Sequence, residues 1–199
     1  MEKQKLTNMI LTALFAAIIV VMSLTPLGYL NVGVLSITMI PIIVSIAAIT
    51  LGPTTGLIMG TIFGITSLVQ CFGMNAFGTT LMGINKVYTV FICLVPRMLD
   101  GWLTGIIYKG LSKIDKTKWL SLIVTGFCGA ALNTVLFMSG LYFLFGRNSQ
   151  FISAYGSYNI ITLFIAMAGI NGLAEILACT IVTPPVAGAI NIYKSKIKR

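Results

Sequence analysis

The chain has 199 residues, of which 57% are hydrophobic and 9% charged, and its formal net charge is +9. A soluble domain carries charge on about a quarter of its residues, so this composition excludes a water-soluble globular domain and indicates lipid as the solvent. Ten of the thirteen basic residues lie in three clusters outside the apolar runs. This is the positive-inside pattern of membrane proteins, and no basic, aromatic-bearing face typical of nucleic-acid binding exists. We expect these clusters to contact anionic lipid headgroups. They consist of Lys3 and Lys5; Lys109, Lys113, Lys116 and Lys118; and Lys194, Lys196, Lys198 and Arg199.

Six apolar runs follow one another along the chain, and they predict an all-α integral membrane protein with a single six-helix domain. At about 20 residues per span, a chain of this length accommodates about six spans and short loops. Six spans place both termini and the central lysine loop in the cytoplasm, whereas five or seven would put one basic cluster on the wrong side. The predicted spans are residues 6–24, 40–51, 54–70, 85–109, 119–145 and 160–181.

Three segments on the other side of the membrane carry a single charge, Arg147. We interpret these segments, residues 26–39, 71–84 and 146–159, as outer loops on the side from which a substrate enters. The Pro184-Pro185 pair is expected to break the last helix before a short basic tail.

Glycine recurs every four residues in the third predicted span, at Gly52, Gly56, Gly60 and Gly64. This spacing places all four on one stripe of a helix and allows a neighbouring backbone to approach closely. We expect the stripe to serve ordinary packing within the bundle.

Four ionisable residues lie within the predicted spans, where each needs a physical reason. Arg97 and Asp100 are spaced to pair on one helix, and Arg97 could also reach Glu175 on the sixth. We therefore interpret Asp100 and Glu175 as members of a buried structural ion-pair group, since buried charges are usually paired. Lys86 has no acid at its depth: it could snorkel to the headgroups, or face a cavity and bind an anion, which is the interpretation we favour.

The sequence resembles the substrate-binding S components of energy-coupling factor (ECF) vitamin transporters, and within that family it looks most like the pantothenate type. The resemblance covers essentially the whole chain and the six-span topology. The segments that carry it are Ala13-Leu14-Phe15-Ala16-Ala17, Ile40-Pro41-Ile42-Ile43, Leu51-Gly52-Pro53-Thr54-Thr55-Gly56, Phe63-Gly64-Ile65-Thr66-Ser67-Leu68, Val95-Pro96-Arg97, Asn171-Gly172-Leu173-Ala174-Glu175 and Pro184-Pro185.

The resemblance implies a subunit of the bacterial cytoplasmic membrane that binds a vitamin from outside, in a cavity closed by the loop between the first two spans. The subunit would then topple against a transmembrane coupling subunit, docked through Ala13 and Ala17, while two ATPase subunits drive release. For pantothenate, with one carboxylate, two hydroxyls and an amide, Lys86 is the predicted carboxylate ligand and Arg97 the second choice. The candidate partners for the hydroxyls and the amide are Asn75, Asn133, Asn159 and Asn171.

Three other functions compete with this interpretation. An intramembrane enzyme is disfavoured because the chain has no histidine, and because four scattered acids do not form a metal site. We accordingly expect no cofactor, and no phosphate-binding GxxxxGK[ST] loop is present for ATP hydrolysis. A stand-alone secondary carrier often shows inverted repeats, and none is evident. An S component for riboflavin, folate or a thiamine precursor stays open.

Overall fold

The structure is a computed structural model that describes residues 2–25, 28–32, 35–115, 117–155 and 160–198. Side chains are described for these residues except 29–32, 35–37, 154–155, 160–171 and 198. The described elements are mostly helices, and one antiparallel hairpin lies between the first two of them. The elements are α1 Glu2–Leu24, β1 Tyr29–Val32, β2 Leu35–Thr38, α2 Ile40–Leu51, α3 Pro53–Gln70, α4 Ala76–Ile84, α5 Lys86–Ile114, α6 Trp119–Phe145, α7 Ser149–Tyr155 and α8 Ile160–Lys198.

Four helices in the described part of the chain are long and apolar enough to cross a membrane. They are α1, α5, α6 and the portion of α8 from Gly172 to Ile197. Helix α2 has 12 residues and α3 has 18, which makes them about 18 and 27 Å long at 1.5 Å per residue. Both are shorter than the hydrocarbon core of about 30 Å, and α2 is almost wholly buried.

The predicted outer loops hold regular structure, and this corrects the prediction that they are loops only. Residues 26–39 contain the hairpin, in which Tyr29 pairs with Thr38 and Val32 with Leu35. Residues 71–84 contain α4, and residues 146–159 contain α7. Small strand and helix segments therefore cover this side of the bundle, while the fold as a whole is helical.

Helix α8 continues through Pro184 and Pro185 to Lys198, so the predicted break there is wrong. Each proline removes one N–H from the helical ladder without forcing the helix to end. Such prolines are tolerated in membrane helices because neighbouring groups satisfy the freed carbonyls.

The glycine stripe of α3 packs against the backbone of α5. A Cβ added at Gly56, Gly60 or Gly64 would lie 2.2, 2.1 or 2.9 Å from the carbonyl oxygens of residues 101, 97 and 93, respectively. Only glycine permits this approach, so the predicted close packing is confirmed. Gly52 differs, because its φ of +102° forms the turn between α2 and α3.

The bundle has two ends that differ in construction. We call the end formed by the hairpin, α4 and α7 the hairpin end. Here the apolar side chains of Cys71, Leu81, Ile92 and Phe145 pack in one cluster with Phe151 of α7. Ser23 of α1 is also tied to α3, because its carbonyl accepts a hydrogen bond from Gln70 and its hydroxyl one from Thr66.

We call the opposite end, with the loop between α5 and α6 and the last turns of α8, the lysine end. There Lys194 donates to the carbonyl of Thr50 at the last turn of α2, at 2.6 Å, and Asn191 donates to the hydroxyl of Tyr108 at 3.3 Å. These bonds hold the last turns of α8 against α2 and α5.

The turn into α6 is organised by Asp115, whose carboxylate accepts four hydrogen bonds. The donors are the backbone N–H and hydroxyl of Thr117 and of Ser121, at 2.7 to 3.0 Å. Hydrogen bonds to the ionised form hold the pKa of the Asp115 carboxyl well below its usual range.

Candidate binding site

Arg97 lies in the interior of α5, one residue after a helix-breaking proline. Pro96 has no N–H, so the carbonyl of Ile92 has no donor within the helix. The Nη1 atom of Arg97 supplies that donor: it lies 3.1 Å from the Ile92 carbonyl oxygen and 3.2 Å from that of Cys93. The guanidinium is therefore bent toward the hairpin end and held there by its own helix.

Two aromatic rings from neighbouring helices flank this guanidinium. Its central carbon lies 4.7 Å from the ring centre of Phe63 on α3 and 5.2 Å from that of Phe137 on α6. Both distances fit cation–π contacts. The Nε atom of Arg97 is buried and has no hydrogen-bond partner among the described residues. Arg97 is thus a fixed cation inside the bundle with unused hydrogen-bonding capacity.

No salt bridge between Arg97 and Asp100 or Glu175 is found among the described residues, although the charge of Arg97 still acts electrostatically on both carboxylates. Asp100 is buried, and its described partner is the hydroxyl of Thr104, which lies 3.4 Å from Oδ1. Arg97 cannot meet it because the guanidinium bends toward the N-terminus of α5, as helical side chains do.

Glu175 instead binds the hairpin. Its Oε1 atom accepts a hydrogen bond from the backbone N–H of Thr38, at the end of β2, with a distance of 2.8 Å. The side chain of Asn133 on α6 lies near enough to interact with this carboxylate. Glu175 is 7% exposed, so a buried carboxylate of α8 fixes the last residue of β2 just before α2 begins.

The remaining predicted site residues lie in other surroundings. The side chain of Lys86 is exposed in the first turn of α5. Asn75 caps α4, because its Oδ1 accepts from the backbone N–H groups of Phe77 and Gly78 at 2.9 and 3.3 Å. Asn171 lies on α8 with its side chain outside the described ones, and Asn159 is outside the described residues.

The structure thus brings together Arg97, Asn133 and Glu175 among the predicted residues. Sequence reasoning missed Phe63, Phe137 and Thr38 as their neighbours. Phe137 follows Asn133 by four residues and so shares its face of α6, which is a signal that could have indicated it. Thr38 acts through its backbone, which no side-chain pattern reports.

A cation, two aromatic rings, an amide and a carboxylate in a low-dielectric interior can bind a small polar anion. Pre-oriented charged and polar groups of this kind, here buried or half-buried, provide strong charge-assisted hydrogen bonds. No group of three His, Cys, Asp or Glu side chains comes together in the portion of the chain that is described.

Ala13 and Ala17 lie together on the outer surface of the bundle. Both are exposed, whereas Phe15 and Ile19 of the same helix face the core. The small-residue stripe of α1 is therefore left open on the face that looks away from the other helices.

These features define a membrane-embedded helical protein with polar and charged side chains inside its bundle. Residues 7–187 match the family model described as ECF transporter, substrate-specific component, and the chain belongs to this family. It is accordingly a multi-pass protein of the cell membrane and a transporter component, not an enzyme.

Two curated relatives are similar over nearly their whole length. The pantothenic acid transporter PanT of Lactococcus lactis subsp. cremoris is 27% identical over 202 residues, which cover 96% of each chain. The pantothenate transporter PanT of Leuconostoc mesenteroides is 27% identical over 200 residues, covering 96% of this chain and 95% of the relative.

Proposed function

We propose that this protein is the pantothenate-binding subunit of an ECF-type importer. The observation that supports this most directly is Arg97, a half-buried cation whose described hydrogen bonds go to carbonyl groups and which forms no described salt bridge. A half-buried cation inside a membrane bundle is stabilised when a ligand supplies the anion. Family membership and the two pantothenate-transporting relatives agree with a small carboxylate as that ligand.

In this proposal the carboxylate of pantothenate binds the guanidinium of Arg97 between Phe63 and Phe137. Asn133 and Glu175 lie on neighbouring helices. The Asn133 amide can donate to or accept from the hydroxyls and the amide of the ligand, and the Glu175 carboxylate accepts hydrogen bonds from them. Lys86 is the alternative cation at the hairpin end. Arg97 is the better candidate because it is held by its own helix and flanked by rings, whereas the Lys86 side chain is exposed.

Isothermal titration calorimetry on the purified protein tests the substrate assignment. Pantothenate should bind tightly without ATP, since the sequence has no phosphate-binding GxxxxGK[ST] loop. Riboflavin, folate and a thiamine precursor are the matched controls, and none should bind at the same concentration. If one of these binds and pantothenate does not, the protein is an S component for another vitamin.

We further propose that α1, α2, α3, α5, α6 and α8 are six spans with both termini in the cytoplasm, and that ATP-driven toppling delivers the substrate. The exposed Ala13 and Ala17 form the surface that docks the coupling subunit, because small residues allow a partner helix to approach closely. Two ATPase subunits supply the energy.

Reconstitution in liposomes tests the division of labour. Accumulation of labelled pantothenate should require the coupling subunit, both ATPases and ATP, and the protein alone should not concentrate it. Ala13→Leu and Ala17→Leu should abolish uptake and leave binding intact, because both positions face away from the core. Loss of binding would show that the stripe packs the bundle, and uptake by the protein alone would indicate a secondary carrier.

A further inference from the structure

Two cysteines from different helices meet inside the hairpin end. Cys71 is the residue that follows α3, and Cys93 is the eighth residue of α5. Their sulfur atoms are 3.7 Å apart, and the residues are 5% and 3% exposed. Both are free thiols, as are Cys128 and Cys179, for which no contact between sulfur atoms is found in the described part of the chain.

The contact follows from the packing of α3 on α5. Gly64 brings α3 against the backbone of Cys93, and Cys71 lies seven residues later on the same face of α3. The Cys71 thiol also donates to the carbonyl of Ser67 at 3.3 Å, which orients it. Helix α4 covers the pair: a Cβ added at Gly78 would lie 2.6 Å from the Cys71 sulfur.

We propose that Cys71 and Cys93 form a redox-sensitive dithiol that closes to a disulfide with a small disulfide oxidant. One thiol, as its thiolate, attacks the oxidant, forms a mixed disulfide and releases one reduced thiol. The second cysteine then displaces the other half, so that two protein S–H bonds are replaced by one S–S bond. Two oxidant sulfurs are reduced, and each takes up a proton.

Closing the bond requires a modest movement. A disulfide has an S–S distance of about 2.05 Å, so the two sulfurs must approach by about 1.6 Å. Rotation of the Cys71 side chain away from the Ser67 carbonyl and a small shift of the end of α3 can supply this. The loop from α3 to α4 begins at Cys71, so the bond would fix that loop to α5.

The bond would also affect the candidate site, a consequence that rests on the proposed function. The carbonyl of Cys93 is one of the two acceptors that hold the Arg97 guanidinium. Drawing Cys93 toward α3 changes the position of this acceptor. The oxidised protein should therefore bind pantothenate several-fold more weakly than the reduced protein.

Treatment of the purified, detergent-solubilised protein with dipyridyl disulfide tests the proposal directly. In the Cys128→Ser/Cys179→Ser variant, two equivalents of thiopyridone should be released and the protein mass should fall by two hydrogens. Proteolysis should yield one linked peptide pair joining positions 71 and 93. Wild-type protein should give the same linked pair, so the result does not depend on the variant.

Cys71→Ser is the matched control, and it should give a mixed pyridyl adduct at Cys93 or no reaction, without any linked peptides. Mixed adducts on both cysteines of the double variant, or no reaction at all, would overturn the proposal. The mass measurement needs no substrate, so it stands whether or not pantothenate binds. An unchanged affinity of the oxidised form for pantothenate would overturn only the coupling to Arg97.

Discussion

The two ends of the bundle use polar residues in different ways. At the lysine end two polar side chains join one element to another: Lys194 binds the carbonyl of Thr50, and Asp115 binds the first turn of α6. At the hairpin end a cation is held next to aromatic rings without a described salt bridge, and a buried carboxylate binds a backbone N–H. The difference indicates that lysine-end polar groups fasten the helices, while Arg97 remains available to a ligand.

Replacing Arg97 should cause the largest loss of pantothenate affinity. A small loss would contradict the difference between the two ends. We expect Arg97→Met to weaken pantothenate binding about 100-fold or more, because an interior carboxylate would lose its charge partner. The thermal unfolding midpoint in detergent should fall only moderately, because the variant loses two hydrogen bonds to carbonyl groups and two ring contacts but no described salt bridge. Calorimetry and a melting curve on the same preparation measure both.

Lys86→Met is the matched control for Arg97→Met, and it should retain tight binding. The opposite result, with Lys86 essential and Arg97 dispensable, would move the carboxylate site to the first turn of α5. Arg97→Lys should be intermediate, because it keeps the charge but loses the planar fork.

Glu175→Ala should have the second largest effect. It removes the acceptor of the Thr38 N–H, so the end of the hairpin loses its tie to α8. We expect affinity to fall about tenfold, the size expected for a lost charge-assisted hydrogen bond. Hydrogen exchange at Thr38 should become faster. Glu175→Gln keeps an acceptor oxygen and should retain most of the pantothenate affinity and most of the protection of the Thr38 N–H. Unchanged slow exchange at Thr38 in the alanine variant would show that the contact contributes nothing.

Lys194→Met should affect stability and leave binding unchanged. The hydrogen bond to the Thr50 carbonyl is partly exposed, so its loss should cost about 1 kcal/mol. A lower unfolding midpoint with unchanged pantothenate affinity is the expected result. A loss of affinity as large as that expected for Glu175→Ala would contradict the proposed difference between the two ends.

Asp115→Asn should give the smallest effect, visible mainly in its pH dependence. The folded pKa of Asp115 is depressed, so its contribution to stability is present above the unfolded value of about 3.9 and is lost as the pH falls through the folded pKa. Unfolding midpoints of wild type and variant should therefore differ slightly at pH 7 and converge in acid. Parallel curves down to the most acid pH would contradict this role.

The sequence was informative where a single helix decides the outcome. Helices α2 and α6 begin and end where the hydrophobic pattern predicts, because apolar length alone determines them. The glycine spacing likewise predicted the approach of a neighbouring backbone, although it could not say that the neighbour is α5.

The sequence was less informative where several elements meet. The direction of the Arg97 side chain depends on a carbonyl freed by Pro96 and on two rings from other helices, so spacing along α5 suggested a partner, Asp100, that it does not contact. The contact of Glu175 with a backbone N–H has no sequence pattern. The structure in residues 26–39, 71–84 and 146–159 was missed because short elements carry weak periodicity.

The packing of α3 on α5 has one further consequence, which concerns helix register. Glycines recur every four residues on α3, and the α5 carbonyls that face them, at residues 93, 97 and 101, recur with the same spacing. A slide of four residues, about 6 Å, would match most of these positions again, so the repeat by itself leaves the register ambiguous. Two contacts differ from the glycine contacts and occur once each along this pair of helices. Pro53 lies against Gly105 at one end of the interface, and Cys71 meets Cys93 at the other. These two unlike contacts select one alignment from several that the glycines would accept.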